Sequence, residues 1–259
     1  MISVRPIEAT EADDFFSILC ESFDLDAHRA RPIFFQDPGF DLSHKWALFD
    51  GGRMHSILTS TRMEFGFGGA TGIAGVATRT ESRGQGYAAK LIECVAESFR
   101  ASGPESLLLF ATKTRLYESL GFEQLDAVVS GPIQADGTED EWRAPLEHAE
   151  VQLRYGAWQG AQTDWCIRSE ARWRNWSWSA RVCEPIGDTG YLCFEGITIR
   201  EAIVPVTLRK WPVPEGTEWV GLAGVTQQLQ VPAACKPTGT LLLGRGTKIS
   251  PRMFLTDQF

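Results

Sequence analysis

Along the first 130 positions the spacing of apolar residues changes repeatedly, and each change predicts an element. Residues 2–7 alternate apolar and polar, as a strand does when one face is buried. Thr10-Glu11-Ala12-Asp13 then offers an N-cap residue followed by acidic positions, and Phe15, Phe16, Leu19 and Phe23 recur at three- and four-residue steps behind it. That is the pattern of an amphipathic helix. Residues 24–40 are mixed and close on Asp37-Pro38-Gly39, so they predict a second short helix and a loop. Residues 45–49 and 53–65 predict two strands joined at Asp50-Gly51-Gly52 by a tight hairpin. Gly66-Phe67-Gly68-Gly69 turns the chain into a further strand over 72–77. Next, Tyr87, Ala88, Leu91, Ile92, Val95 and Phe99 lay out one apolar helical face. Ser102-Gly103-Pro104 ends that helix, and residues 105–111 predict a short buried strand.

Beyond residue 131 the texture differs. Asp136-Gly137-Thr138-Glu139-Asp140-Glu141 is polar and acidic, suiting a linker or surface loop, and divides the chain into 1–135 and 136–259. The second part holds most of the tryptophans, including Trp173, Trp176 and Trp178, in a stretch whose period fits strand and helix equally. Residues 191–194, 197–203 and 241–243 predict strands, and no repeat or low-complexity tract is present.

The junction at residues 83–88 carries the chemistry. An apolar strand leads into Arg83-Gly84-Gln85-Gly86-Tyr87-Ala88 and an amphipathic helix leaves it. The first N–H groups of a helix lack intrahelical partners and point, with the positive end of the helix dipole, toward any anion. Glycines at 84 and 86 let the main chain approach that anion closely. The loop has no Gly-Lys-Ser/Thr ending and not the glycine spacing of a dinucleotide fold, so the two commonest nucleotide loops are disfavoured.

Arg83 to Ala88 resembles the pattern Arg/Gln-x-x-Gly-x-Gly/Ala of the GNAT acetyltransferase superfamily. Further along, Arg115-Leu116-Tyr117-Glu118-Ser119-Leu120-Gly121-Phe122-Glu123 is similar to that family's second signature, a short helix bearing a tyrosine and ending in Gly-Phe. The resemblance covers residues 1–132, with one departure at Thr80, where the family often has proline. It implies an α/β (α+β) fold with a mixed, mostly antiparallel twisted sheet flanked by helices. It also implies acetyl-CoA as co-substrate, with the pyrophosphate on Arg83, Gly84, Gln85, Gly86, Tyr87 and Ala88. The second part, with Arg172-Trp173-Arg174 and the ending Phe254-Leu255-Thr256-Asp257-Gln258-Phe259, is similar to the C-terminal regions of multi-domain acetyltransferases related to the enhanced intracellular survival family. It has no phosphate loop of its own, and is expected to be a smaller α+β domain, a degenerate half domain that shapes the acceptor pocket.

Composition narrows the partners. With 259 residues, 43% hydrophobic and 22% charged, the chain is ordinary globular material. A formal charge of −8 without any lysine or arginine run excludes the footprint of nucleic-acid binding. No signal-peptide core or long apolar run points to a membrane, and six scattered cysteines without a Cys-x-x-Cys pair predict free thiols, no metal and a cytoplasmic location. Homo-oligomerisation is left open.

Acyl transfer from a thioester to an amine needs an oxyanion donor, an acid for the leaving thiolate and a base for the amine. Backbone N–H groups of Val76, Ala77 and Thr78 are the expected donors to the pantetheine arm and the acyl carbonyl. Tyr117 is the expected acid: a phenol with a pKa of about 10 can protonate a thiolate without ionising beforehand. His44, His55 and Glu64, on the strands nearest the acceptor side, are candidate bases. The second resemblance adds Phe259, because in that family the C-terminal carboxylate reaches into the active site. Glu21, Asp24 and Asp26, near the junction of the first two helices, are expected to attract a cationic acceptor. The leading expectation is an N-acetyltransferase acting on a primary amine of a small molecule, an antibiotic or metabolite, by direct attack in a ternary complex. The rivals are a protein lysine or N-terminal acetyltransferase and a non-catalytic acyl-CoA sensor.

Overall fold

In a computed structural model of the chain, the residues described are 1–100, 106–135, 144–160, 162, 164–178, 181–205, 208–247 and 249–259. The turn expected at 102–104 and the linker expected at 136–141 lie outside them. The first strand, β1 (Ile2–Pro6), is followed by α1 (Ala12–Phe23) and α2 (Ala27–Gln36), then by the hairpin β2 (Lys45–Asp50) and β3 (Arg53–Phe65), and by β4 (Gly68–Thr78). The helix α3 (Tyr87–Arg100), β5 (Ser106–Ala111), α4 (Arg115–Ser119) and β6 (Glu123–Pro132) complete the first half. One local expectation is corrected: Thr10 does not cap α1. A short 3-10 turn at Ala9–Glu11 precedes the helix, and Glu11 reaches back to the Glu8 N–H at 2.8 Å and to Arg5 at 2.7 and 2.8 Å, so the carboxylate wins over the hydroxyl.

The second half adds α5 (His148–Gln159), β7 (Cys166–Ile167), α6 (Glu170–Trp178), β8 (Val182–Ile186), β9 (Gly190–Glu195), β10 (Thr198–Ile203), β11 (Glu218–Leu222), α7 (Ala223–Gln228) and β12 (Lys236–Arg245). The tryptophan stretch is therefore helical, with Trp173 and Trp176 buried and Trp178 exposed. All the long strands join one sheet in the order β1-β2-β3-β4-β5-β12-β6-β11-β10-β9-β8, and β7 pairs the end of β3. Pairing is antiparallel except at β4–β5 and β10–β11.

The placement of β12 follows from its composition. Leu242 and Leu243 are buried on opposite faces, and a strand apolar on both sides belongs in a sheet interior. It pairs β5 from Leu241↔Ala111 to Arg245↔Leu107 and β6 on its other edge, so a late segment fills the gap between two early strands. On one face, α3 packs Leu91, Ile92 and Val95 against Leu48, Leu58, Ile73, Leu107 and Leu109. Each of those three helix side chains is fully buried, worth about 1.5–3 kcal/mol apiece, which holds the helix while its N-terminus faces solvent. On the other face a larger core joins Met63, Phe65, Ala70 and Leu108 of the first half to Tyr155, Trp165, Trp173, Tyr191, Leu242 and Phe254 of the second.

Candidate active site

Beside the helix that it supports, β4 changes partners. Its pairing with β5 runs from Ala70↔Ser106 to Ile73↔Leu109 and stops, whereas β5 continues along β12 and β4 continues along β3 to Thr78. The two strands therefore part beyond Ile73 and Leu109. At the same level β4 carries an extra residue against β3, since Ile57↔Ala77 is followed by Thr59↔Ala74. Gly75 occupies this bulge at φ 59°, a conformation that costs glycine nothing.

The opening is a cavity of about 480 Å³ lined by Ile73, Ala74, Gly75 and Val76 on one side and Phe110, Ala111, Thr112, Lys113 and Tyr117 on the other, with Phe23, Thr240, Gln258 and Phe259 completing the wall. Tyr117 enters it from α4, which Gly121 ends at φ 78° before Phe122 plugs into the core. Its ring meets Phe122 edge-on at 6.0 Å. Burial pushes the Tyr117 phenol above its ordinary pKa, so it stays protonated at neutral pH and available as a donor.

A second cavity, of about 280 Å³, lies at the far end of β4 and is lined by Thr78, Ser82, Arg83, Gly84, Gly86, Tyr87, Ala88, Ala89 and Leu116. Gly84 and Gly86 hold φ of 78° and 76° with open space where a Cβ would stand. The Lys90 N–H donates to the Gly86 carbonyl at 3.0 Å, so the N–H groups of residues 87–89 precede the first helical hydrogen bond. Tyr87 is turned away from the helix axis by donating to Asp50 at 3.0 Å, with its ring 4.9 Å from that of His55. This loop has the free N–H groups and the close main-chain access that a pyrophosphate requires.

The expected residues divide clearly. Val76, Tyr117 and Phe259 share the first cavity; Thr78, Arg83, Gly84, Gly86, Tyr87 and Ala88 share the second. Ala77 is buried in the core beneath α1, and the Gln85 amide donates to the Glu81 carbonyl at 3.4 Å. His55 and Glu64 line neither cavity: His55 Nδ1 pairs with the Ser82 hydroxyl at 2.7 Å, and Glu64 sits at the other end of β3, pairing with Ile167. His44 lies in the 3-10 turn before β2. Glu21 and Asp24 line a third cavity, about 630 Å³, together with Asp13, Cys20 and Arg31, and Arg31 pairs with Asp13 at 2.7 Å. Asp26 lies outside it and caps α2, accepting from the N–H groups of His28 and Arg29 at 2.9 and 3.1 Å. Phe23, between Glu21 and Asp24 in sequence, lines the first cavity and not this one.

Residues 110–113, Thr240 and Gln258 were not singled out by sequence. The splay of β4 from β5 is the signal that finds them, and it is a property of pairing rather than of any short motif. Among the described residues, no helix is long and apolar enough to cross a membrane, and no group of three or more His, Cys, Asp or Glu is placed to hold a metal ion.

Residues 3–125 match the family model for the acetyltransferase (GNAT) domain. Among solved structures, the chain is similar to a GCN5-related N-acetyltransferase from Kribbella flavida, with a TM-score of 0.74 at 17% identity over 95% of this chain and 71% of that one. A GCN5-related N-acetyltransferase from Anabaena variabilis gives 0.71 at 16% identity, over 95% and 72%. Eis1 from Mycobacterium abscessus gives 0.59 at 11% identity, over 95% and 73%. At these identities the likeness is one of fold, and it extends through both halves. No curated protein matches the chain in sequence.

Proposed function

We propose, on the premise that residues 3–125 are a GNAT acetyltransferase domain, that the protein transfers an acetyl group from acetyl-CoA to a primary amine of a small cationic molecule. The observation that carries this reading is the alignment of two cavities along β4, one ending at a glycine loop and the other holding Tyr117 opposite a strand edge without a sheet partner. The loop N–H groups of residues 84–89 bind the pyrophosphate. The free edge of β4 near Val76 takes the pantetheine amides as a further strand would, and its N–H groups polarise the acyl carbonyl.

In the reaction the acceptor nitrogen forms a bond to the carbonyl carbon as the C–S bond breaks. The nitrogen gives up one proton, and Tyr117 gives its phenolic proton to the departing thiolate before recovering one from solvent. Since His44, His55 and Glu64 line neither cavity, we assign removal of the amine proton to water at the mouth of the first, and orientation of the ammonium to the C-terminal carboxylate of Phe259, a residue that lines that cavity. The acidic wall of Glu21 and Asp24, which flank Phe23 in sequence at the end of α1, would draw a cation toward that mouth. Residues 136–259 act as an accessory region that closes the acceptor side.

The test is thiol release from acetyl-CoA across a panel of amines, with the wild type beside Tyr117→Phe. Loss of the acid should lower kcat by about 100-fold or more with little change in KM for acetyl-CoA. The pH profile sharpens it. With water as base, kcat/KM should rise through pH 7 to 9 as the amine loses its own proton, and should fall only when Tyr117 ionises, above the usual phenol value of about 10. A histidine base would instead give a limb near pH 6.5. Binding of acetyl-CoA without turnover on any amine would replace this reading with a sensor.

A further inference from the structure

The far end of the β4–β5 cavity is closed by a residue from the opposite end of the sequence. The Phe259 ring lies flat against Gly72: a Cβ at that position would stand 2.3–2.6 Å from three of its ring carbons, so only glycine admits it. Phe110 packs on the same ring at 5.7 Å between centroids. The direction of the channel follows from β4. An arm anchored at the glycine loop passes Thr78 and Val76 and reaches the bulge at Gly75, where Tyr117 faces it. From Thr78 to Gly72 the strand covers about 20 Å. An acyl group continuing past the bulge therefore runs along Ile73 toward Gly72 and meets the ring.

What seats the ring is a fully buried charge cluster two residues earlier in the chain. The Asp257 carboxylate accepts from Arg168 Nε at 2.7 Å and Nη2 at 2.8 Å, and Arg172 donates to its backbone carbonyl. The Thr256 hydroxyl donates to Glu201 and accepts from Arg168 at 3.1 Å. Glu201 also accepts from both Arg168 Nη atoms at 3.0 and 2.8 Å, from Trp176 Nε1 at 2.9 Å and from the Tyr191 hydroxyl. The guanidinium stacks 3.9 Å from the Tyr155 ring centroid and 4.6 Å from that of Trp173. Side chains of Arg168 and Glu201 are 0% exposed and that of Asp257 2%. An apolar plug would bury a turn here at less cost in desolvation, so the ionic cluster is better explained by the single position that it imposes on the 255–257 turn.

We propose that Phe259, seated by this Arg168–Glu201–Thr256–Asp257 clamp, is the stop of the acyl channel and restricts the enzyme to short acyl groups. Phe259 determines specificity; the clamp residues position it. The inference rests on the acyl-CoA reading above.

The experiment measures equilibrium binding and initial rates with acetyl-CoA and hexanoyl-CoA on the whole protein. The wild type should favour acetyl-CoA, and Phe259→Ala should shift the hexanoyl-to-acetyl ratio upward by about tenfold or more, because the removed ring makes room for the added methylenes. Thr256→Val and Asp257→Asn should shift the ratio in the same direction by less, and should add nothing in the Phe259→Ala background, since both act through the ring. An unchanged ratio in Phe259→Ala overturns the stop. A lowered Tm in Thr256→Val with the ratio unchanged overturns the clamp's positioning role. If the wild type binds neither acyl-CoA, the functional reading fails and takes the stop with it. If acetyl-CoA binds but no amine is acetylated, the binding ratio alone still decides.

Discussion

Residues 83–86 hold their shape by backbone conformation, with two glycines at positive φ and nothing within 4 Å of a Cβ built on either, whereas Arg168, Glu201 and Asp257 hold theirs by side chains that meet from 33 and 89 residues apart. The loop is exposed and local; the cluster is buried and assembled from three separate segments. Both face the same strand, the loop at its end and the cluster behind the ring on Gly72. The difference teaches that the shape of the proposed pyrophosphate loop and the geometry behind the cavity wall are encoded in different ways in this chain. A loop whose conformation is set by its own residues can be replaced or lost with little effect on folding. A cluster that ties β10, α6 and the 255–257 turn together cannot.

The sharpest way to break that comparison is to remove the cation. Arg168→Met would leave Glu201 and Asp257 buried without a partner, and should cost about 3–5 kcal/mol of stability, read from urea or thermal unfolding. Arg83→Ala in the loop should stay within about 0.5 kcal/mol, and its effect should appear in the KM for acetyl-CoA. The pH dependence of the same variant carries a second sign. Burial alone would raise the Glu201 carboxyl, but the Arg168 charge and the bonds from Arg168, Thr256 and Tyr191 outweigh it and hold its pKa below the ordinary range. In the wild type this carboxylate therefore contributes stability that is present above the unfolded value of about 4.3 and lost as pH falls through the lowered one. In Arg168→Met burial acts without opposition from the guanidinium, so the deficit should shrink as pH is lowered and Glu201 protonates. A deficit that stays constant from pH 7 to 4.5 would mean that the ion pair is not what the variant loses.

This contrast also explains what could be read from sequence. Elements of the first half were legible because each is encoded by its own pattern: the period of Leu91, Ile92 and Val95, the Asp50-Gly51-Gly52 hairpin, and the Tyr117-to-Phe122 turn ending in Gly121. The glycine loop before α3 was legible for the same reason. Glu21, Asp24 and Asp26 looked equivalent, yet Asp26 is used by the α2 N-terminus, a competition that only the helix start decides. His55 looked free until β3 and the turn after β4 brought Ser82 to its ring nitrogen. In the second half the decisive contacts are non-local. Nothing in Lys236–Arg245 says that it enters the sheet between β5 and β6, and Arg168 carries no motif at all. The tryptophans were ambiguous in period because α6 buries two of them around a guanidinium rather than along a simple apolar stripe.

Two glycines separate the local from the non-local at a smaller scale. At Gly72 the φ is ordinary and the obstacle is the Phe259 ring, so Gly72→Ala should cost about 1–3 kcal/mol through overpacking. At Gly86 nothing lies within 4 Å of a built Cβ, and the obstacle is a φ of 76°, which costs a non-glycine residue about 1–2 kcal/mol. Combining Gly72→Ala with Phe259→Ala should recover most of the loss, because the clash is with one side chain. Gly86→Ala should raise the KM for acetyl-CoA and gain nothing from Phe259→Ala. Recovery of both by the same second substitution would show that the loop and the ring are mechanically coupled, and the distinction between them would fall.

The smallest expected effect tests how the late strand is held in the early sheet. Arg245 at the end of β12 donates to Glu93 of α3 at 2.9 and 3.2 Å, an ion pair that joins the two halves with side chains 23% and 37% exposed. It invites the view that side-chain charge pins β12. The backbone argues otherwise, since β12 pairs along both edges and buries Leu242 and Leu243 on opposite faces. A partly exposed pair gains little Coulomb energy in water and orders two long side chains, so Glu93→Gln should cost only about 0.2–1 kcal/mol, less still in high salt. Leu243→Ala, which leaves a void under α3, should cost about 2–5 kcal/mol. Chemical unfolding of the two variants in low and high salt measures both. If Glu93→Gln were the more costly, β12 would be held by a surface charge rather than by its ladder, and the second half would be a detachable addition instead of a part of the sheet that carries the site.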